Sequence, residues 1–346
     1  MSKQSIFIEI ETLFDDLVEK AQDTSVFSSV DSAQKILQLF LKLKKPFEQS
    51  ILEKFASKPP DEVFNIIKQL FQNKNTVPYF QSMISLSFFF WNWARQFEPL
   101  LKDEQYEEIT LSLIYGAMGY KLFDTYFDES STRQKDNQHQ FSPSHLYLAK
   151  YLISQQESIL FATFPNSVIL KNKLDFYNRL YTNYGLKEIK TRYKSCPVTP
   201  DTVTLLGHKS APLMIYFTMI LEHSGFLNRL DDYETMFYQT TASIQIRDDL
   251  ADAMADLING TITLATVDFV KTIDYPELIH QPEKLEKAYK KYPRINEVAL
   301  ANLHLTQKML SKSLDICEKY QDNMFELFIS SKLLALAETL ARKESA

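Results

Sequence analysis

The stretch Ser243-Ile-Gln245-Ile-Arg247-Asp248-Asp249-Leu-Ala-Asp252-Ala-Met-Ala-Asp256 decides how this chain is read. It follows an apolar, aromatic run through Met236, Phe237 and Tyr238. Asp248, Asp252 and Asp256 stand at i, i+4 and i+8, so on a helix their carboxylates line one face. Three like charges in a row destabilise an isolated helix, and aspartate is a poor interior helix former. Packing supplies little reason for such a row. A hard divalent cation does: Mg2+ takes carboxylate oxygens in octahedral geometry, keeps several waters and favours phosphate as a co-ligand. The row, with Asp249 beside it, predicts a metal site.

A second acidic pair lies upstream, in Asp124-Thr-Tyr-Phe-Asp128-Glu129. The turns before it are apolar: Leu111, Leu113, Ile114, Ala117, Met118, Leu122 and Phe123. Asp124 and Asp128 are four apart, repel each other, and sit at a helix C-terminus, where the dipole favours cations. Something positive should compensate them. Two acidic clusters bind an anionic ligand only through bridging cations, with basic side chains completing the site. Arg133 in the following loop, Lys209 in His208-Lys-Ser-Ala, and Arg247 next to Asp248 are candidates. Asp231-Asp232 has another explanation: it begins a helix, where acids are expected on structural grounds.

The rest of the chain reads as helices. Of 346 residues, 45% are hydrophobic, enough for a sizeable core, and only 6 are glycine, too few for the many turns of a sheet protein. Helical periodicity is expected over 5–20, 32–43, 104–129, 145–163, 167–191, 201–223, 228–259, 296–320 and 322–343. The polar stretch 131–144 is a loop, and Gly260-Thr-Ile-Thr is a break. No linker divides the chain, so a single domain is expected over 1–346, with N-terminal helices in 1–100 and a catalytic core in 101–346. A net charge of −6 disfavours a nucleic-acid partner. Cys196 and Cys317 form no metal or redox spacing, and without a signal peptide the cytoplasm is the expected location. The most apolar run, 84–94, is about half the length of a membrane span.

These residues resemble the class I isoprenoid synthase superfamily, in particular trans-prenyltransferase-like terpene synthases. Asp124 to Gln134 looks like the aspartate-rich DDxxDxxxxRR segment, and Gln245 to Asp252 with Asp256 and Gly260 looks like QxxDDxxD…D…GK. Lys209-Ser210 is similar to a Lys-Thr step that contacts diphosphate. The resemblance covers roughly residues 100 to 270. It implies an all-α bundle around a central apolar cavity. Asp124, Asp128, Asp248, Asp249, Asp252 and Asp256 would be metal ligands for three Mg2+ ions, and Arg133, Lys209, Arg247 and Gln245 would contact the diphosphate. Gly119, Tyr120, Phe123 and Thr241 would line the cavity, either by leaving space or by forming a floor; ordinary helix packing is the other explanation for the glycines Gly116 and Gly119. The substrate would be a prenyl diphosphate of C15–C25, and a homodimer is common in the superfamily.

Departures from the pattern narrow the expected activity. Thr125 replaces the second aspartate of the first motif, Gln134 the second arginine, and Thr261 the lysine after the glycine, and no GKRxRP segment occurs. By the resemblance, these changes dismantle the isopentenyl diphosphate site and leave the allylic site intact. A terpene synthase that ionises and cyclises one prenyl diphosphate is therefore the first expectation. A chain-elongating or head-to-head prenyltransferase is the second, and a non-catalytic prenyltransferase partner the third.

Overall fold

The computed structural model of the protein describes residues 93, 94, 97, 103–132, 143–191 and 200–344. The expected helices 5–20 and 32–43, Arg133, Gln134 and Cys196 lie outside the described residues. All regular structure among the described residues is helical. The chain divides into two compact units, Met1–Glu129 with Gln138–Pro165, and Ser130–Asn137 with Asn166–Ala346.

The first unit is built on α1 (Asp103–Thr132) and α2 (Pro143–Thr163). Trp93, Leu111, Ile114, Tyr115, Ala149, Leu152 and Leu160 are fully or almost fully buried. Trp93 meets Phe97 edge to face, with ring centroids 4.9 Å apart. Small residues bring the two helices together. The Ser112 hydroxyl donates to the Gln156 carbonyl at 3.0 Å, and a β-carbon at Gly116 would lie 2.4 Å from the Gln156 side chain. One at Gly119 would lie 2.7 Å from Ile153 and 3.0 Å from the Ala149 carbonyl. The space over both glycines is filled by α2, so they serve helix packing.

The second unit runs through α3 (Leu170–Thr191), α4 (Pro200–His208), a 3-10 turn at Ala211–Leu213, and α5 (Met214–His223). A second 3-10 turn, Leu227–Arg229, leads into α6 (Leu230–Ala251), which α7 (Ala253–Ile258) continues. Three short helices follow, α8 (Val267–Val270), α9 (Tyr275–Leu278) and α10 (Pro282–Lys290). The long helices α11 (Ile295–Tyr320) and α12 (Asn323–Glu344) close the unit. Helix α6 is central, packed on α11 and α4 and also touching α5. Phe217 of α5 bridges Phe237 of α6 and Phe325 of α12, at centroid distances of 5.3 and 5.4 Å. The short helices wrap a cluster of Leu257, Phe269, Tyr275, Leu285 and Tyr292, and the Tyr275 hydroxyl caps the Leu257 carbonyl at 2.6 Å.

Two expected helices are interrupted. The helix read over 201–223 breaks after His208, because Pro212 has no N–H to carry the ladder forward. Lys209 therefore sits in a turn between α4 and α5 and not inside one continuous helix. The helix read over 228–259 changes direction at Asp252, whose φ of −101° and ψ of 10° leave the helical region. Asp231 and Asp232 occupy the first turn of α6, as expected of acids at a helix start. Asp232 accepts hydrogen bonds from the Lys319 ammonium at 2.6 Å and from the Tyr320 hydroxyl, which hold its carboxyl below its usual range.

Candidate functional site

The second aspartate motif spans the junction of α6 and α7. The junction preserves the row, since the Asp252 N–H donates to the Asp248 carbonyl at 2.8 Å and the Asp256 N–H to the Asp252 carbonyl at 2.9 Å. The row ends in a Schellman closure. Gly260 takes a φ of +82°, its N–H bonds the Leu257 carbonyl at 3.3 Å, and the Thr261 N–H bonds the Asp256 carbonyl at 2.9 Å. A left-handed residue at that point requires glycine or pays in strain.

Burial separates the four carboxylates into two kinds. Asp248 and Asp252 are exposed and Asp256 is half-buried, whereas Asp249 is only 6% exposed. The Gln245 amide donates to the Asp249 carboxylate at 2.8 Å. Gln245 thus orients a buried acid, a task different from the diphosphate contact expected of it. Burial pushes the Asp249 carboxyl up to about 6 and the Asp256 carboxyl up to about 7, and in each case neighbouring carboxylates add to the effect. Lys209 opposes both shifts, so its ammonium belongs to this cluster. It also lies 6.0 Å from the centre of the Tyr184 ring.

Helix packing sets the place of Lys209. A β-carbon at Gly207 would lie 2.6 Å from the Tyr238 carbonyl oxygen, so only glycine lets α4 approach α6 this closely. The Thr241 hydroxyl bonds the Phe237 carbonyl at 2.9 Å and the Gly207 carbonyl at 3.4 Å. Thr241 is therefore engaged with the α4–α6 contact. His208 stacks edge to face on Tyr238 at 5.1 Å, and burial keeps its imidazole below its ordinary range.

Two charged residues not singled out from the sequence join these aspartates. Glu188 of α3 raises the carboxyls of both Asp249 and Asp256. Lys332 of α12 interacts with Arg247 and Asp248. Each is remote in sequence from the motif, and a single sequence carries no signal that pairs them.

Asp124 and Asp128 lie on α1, in the first unit, as do Gly119, Tyr120 and Phe123. Asp124, Tyr120 and Phe123 are half-buried, and Gly119 is fully covered by α2.

The cluster on α6 and α7 suits a divalent cation. Among the described residues, no three His, Cys, Asp or Glu side chains converge closely enough to hold a metal by themselves. Mg2+ seldom needs such a cage: it is held by one or two carboxylates, waters and substrate phosphate. Burial raises both Asp249 and Asp256, neighbouring carboxylates add to it, and a bound cation would favour their ionised forms. Among the described residues, no helix is long and apolar enough to cross a membrane.

No protein-family model matches the chain, and no curated protein matches it in sequence. Solved structures do match. Heptaprenyl diphosphate synthase from Staphylococcus aureus superposes with a TM-score of 0.60 at 17% identity, covering 86% of this chain and 97% of that one. Geranylgeranyl pyrophosphate synthase from Lactobacillus brevis gives a TM-score of 0.64 at 11% identity, covering 82% and 95%. A decaprenyl diphosphate synthase from Rhodobacter capsulatus gives 0.59 at 10% identity, covering 87% and 98%. The chain thus has the all-helical isoprenoid-synthase fold, of the trans-prenyltransferase-like type.

Proposed function

We propose that the protein is a magnesium-dependent enzyme that ionises an allylic prenyl diphosphate. The observation that carries this reading is the crowding of Asp249, Asp256 and Glu188 around one lysine, Lys209, with Asp248 and Asp252 exposed on the same helical run. A negative surplus of that kind fits a hard cation, which in turn fits a diphosphate. Asp248, Asp252 and Asp256 would hold Mg2+, and Asp124 and Asp128 are the further metal ligands that the resemblance implies. Bound there, Mg2+ acts as a Lewis acid on the diphosphate oxygens. Lys209 would offer its ammonium to the same oxygens, in the field of the buried Asp249 carboxylate that Gln245 orients. Arg247 would add positive charge for the leaving group, a part the resemblance also gives to Arg133.

The allylic cation has two fates. Transfer to a second prenyl unit is supported by the fold, since the similar solved structures are prenyl diphosphate synthases. Cyclisation of a single C15–C25 substrate is the second reading, favoured by Thr125, Gln134 and Thr261 at positions where elongating enzymes carry aspartate, arginine and lysine. Incubation with Mg2+ and C10 to C25 prenyl diphosphates, with and without isopentenyl diphosphate, separates the two. A longer diphosphate formed only with isopentenyl diphosphate identifies a transferase. A hydrocarbon or alcohol formed from the allylic substrate alone identifies a cyclase. No release of diphosphate from any substrate would refute the proposal.

A further inference from the structure

Helix α3 is anchored on α6 by a polar knot. The Tyr177 hydroxyl donates to the Glu234 carboxylate at 2.6 Å, and the Lys173 ammonium donates to the same oxygen at 2.9 Å. Tyr177 is fully buried, and its hydroxyl also lies 2.7 Å from that of Thr218 on α5. The knot fixes α3 in register and rotation. Tyr184 stands seven residues beyond Tyr177, about two turns along the same face.

That placement brings the Tyr184 ring to Lys209. The Lys209 ammonium lies 6.0 Å from the ring centroid, at the range over which a ring face attracts a cation. Both residues are half-buried. The backbone on the lysine's side is held as well. The Lys209 N–H bonds the Leu206 carbonyl at 3.4 Å and the Ser210 N–H bonds the Gly207 carbonyl at 3.2 Å. Helix α3 packs on α4 and on the 3-10 turn at Ala211–Leu213, so it flanks Lys209 from both directions along the chain.

A lysine carries its ammonium on a flexible four-carbon stem and loses rotamer freedom when that charge is held in one place. A carboxylate partner holds it by taking up N–H donors. A ring face holds the charge and leaves donors over for phosphate oxygens.

We propose that Tyr184 is a positioning residue, whose ring holds the Lys209 ammonium ready for a diphosphate. This assignment rests on the functional reading above and adds to it a residue outside the recognised motifs.

Calorimetric titration of the full chain with inorganic pyrophosphate in excess Mg2+ tests it, carried to millimolar pyrophosphate so that weak variants are measured. Tyr184→Phe keeps the ring and should bind within about twofold of the wild type. Tyr184→Leu removes the ring and should weaken binding by about three- to fivefold. Lys209→Met should weaken it by about tenfold or more. Adding Tyr184→Leu to Lys209→Met should then change nothing further, because the ring acts through the ammonium. If Tyr184→Leu unfolds early, Tyr184→Met serves for both arms. Wild-type affinity in the ringless variants or in Lys209→Met overturns the assignment and leaves the metal site standing. So does an equal loss from Tyr184→Leu in the Lys209→Met background, which would mark a packing role. A loss in Tyr184→Phe as large as in Tyr184→Leu also overturns it, since the hydroxyl and not the ring would then act. A wild-type protein that binds no pyrophosphate with Mg2+ overturns the reading of the site and the assignment together.

Discussion

The α-carbon of Gly207 packs so closely on Tyr238 that an added methyl group would stand 2.6 Å from the Tyr238 carbonyl oxygen and 2.8 Å from its β-carbon. This is backbone against backbone, so no side chain can swing aside. Gly207→Ala should therefore push α4 away from α6 and destabilise the protein by about 1–3 kcal/mol. Lys209 lies two residues further on and moves with α4. Urea unfolding measures the first effect, and loss of turnover beyond that expected from unfolding measures the second.

The Asp249 and Asp256 carboxyls, raised to about 6 and about 7, tie stability to pH. Each is raised above its unfolded value of 3.8, so its contribution is complete below that value and is lost as pH rises through the folded values. In the presence of a chelator, unfolding free energy should therefore fall between about pH 4 and pH 8 more steeply in the wild type than in Asp249→Asn. Asparagine can still accept the hydrogen bond from Gln245. Saturating Mg2+ should flatten the wild-type curve, because the cation favours the ionised form. A slope indifferent to both the substitution and Mg2+ would show that these acids are not electrostatically frustrated.

The exposed members of the row should matter to turnover and not to folding. Asp248→Asn and Asp252→Asn are each expected to lower kcat/KM by at least about a hundredfold, with an unfolding midpoint within a few degrees of the wild type. Equal activity in the variants would remove both residues from the chemistry.

Helix α11 ends with the same hydrogen-bond pattern as α7, but with Gln321 in the left-handed position at a φ of 55°. The Gln321 N–H bonds the Glu318 carbonyl at 3.2 Å and the Asp322 N–H bonds the Cys317 carbonyl at 2.9 Å. Glycine adopts that conformation without a β-carbon clash. Gln321→Gly should stabilise the protein by about 0.5–1 kcal/mol, read as a higher denaturant midpoint.

Just beyond that turn, the Tyr233 hydroxyl donates to the buried Asp322 carboxylate at 2.7 Å, and the same carboxylate accepts the Phe325 N–H at 3.1 Å. Tyr233→Phe leaves the acid with fewer donors in a buried setting. A loss of about 1–3 kcal/mol in unfolding free energy is expected.

The sequence made the helical class plain, because long amphipathic runs survive around few glycines. It also marked the row Asp248, Asp252, Asp256, whose spacing has a direct physical meaning on a helix. Pro212 was a usable signal for the break between α4 and α5, and the position of Lys209 follows from it. The helices α8, α9 and α10 are too short to show a period, and their place is set by the aromatic cluster they enclose. Glu188 and Lys332 were not legible: they reach the aspartates only because α3 and α12 pack where they do. The division of labour between exposed Asp248 and buried Asp249 was equally hidden, since adjacent residues on a helix point in different directions.

The covered glycines of α1 bear on any attempt to redesign what the protein makes. A common impulse would be to enlarge Gly116 or Gly119 so as to shorten the space available to a hydrocarbon tail. Here a β-carbon at Gly119 would meet Ile153 and the Ala149 carbonyl and prise two helices apart, whereas one at Gly116 would meet only the end of the Gln156 side chain, which can turn aside.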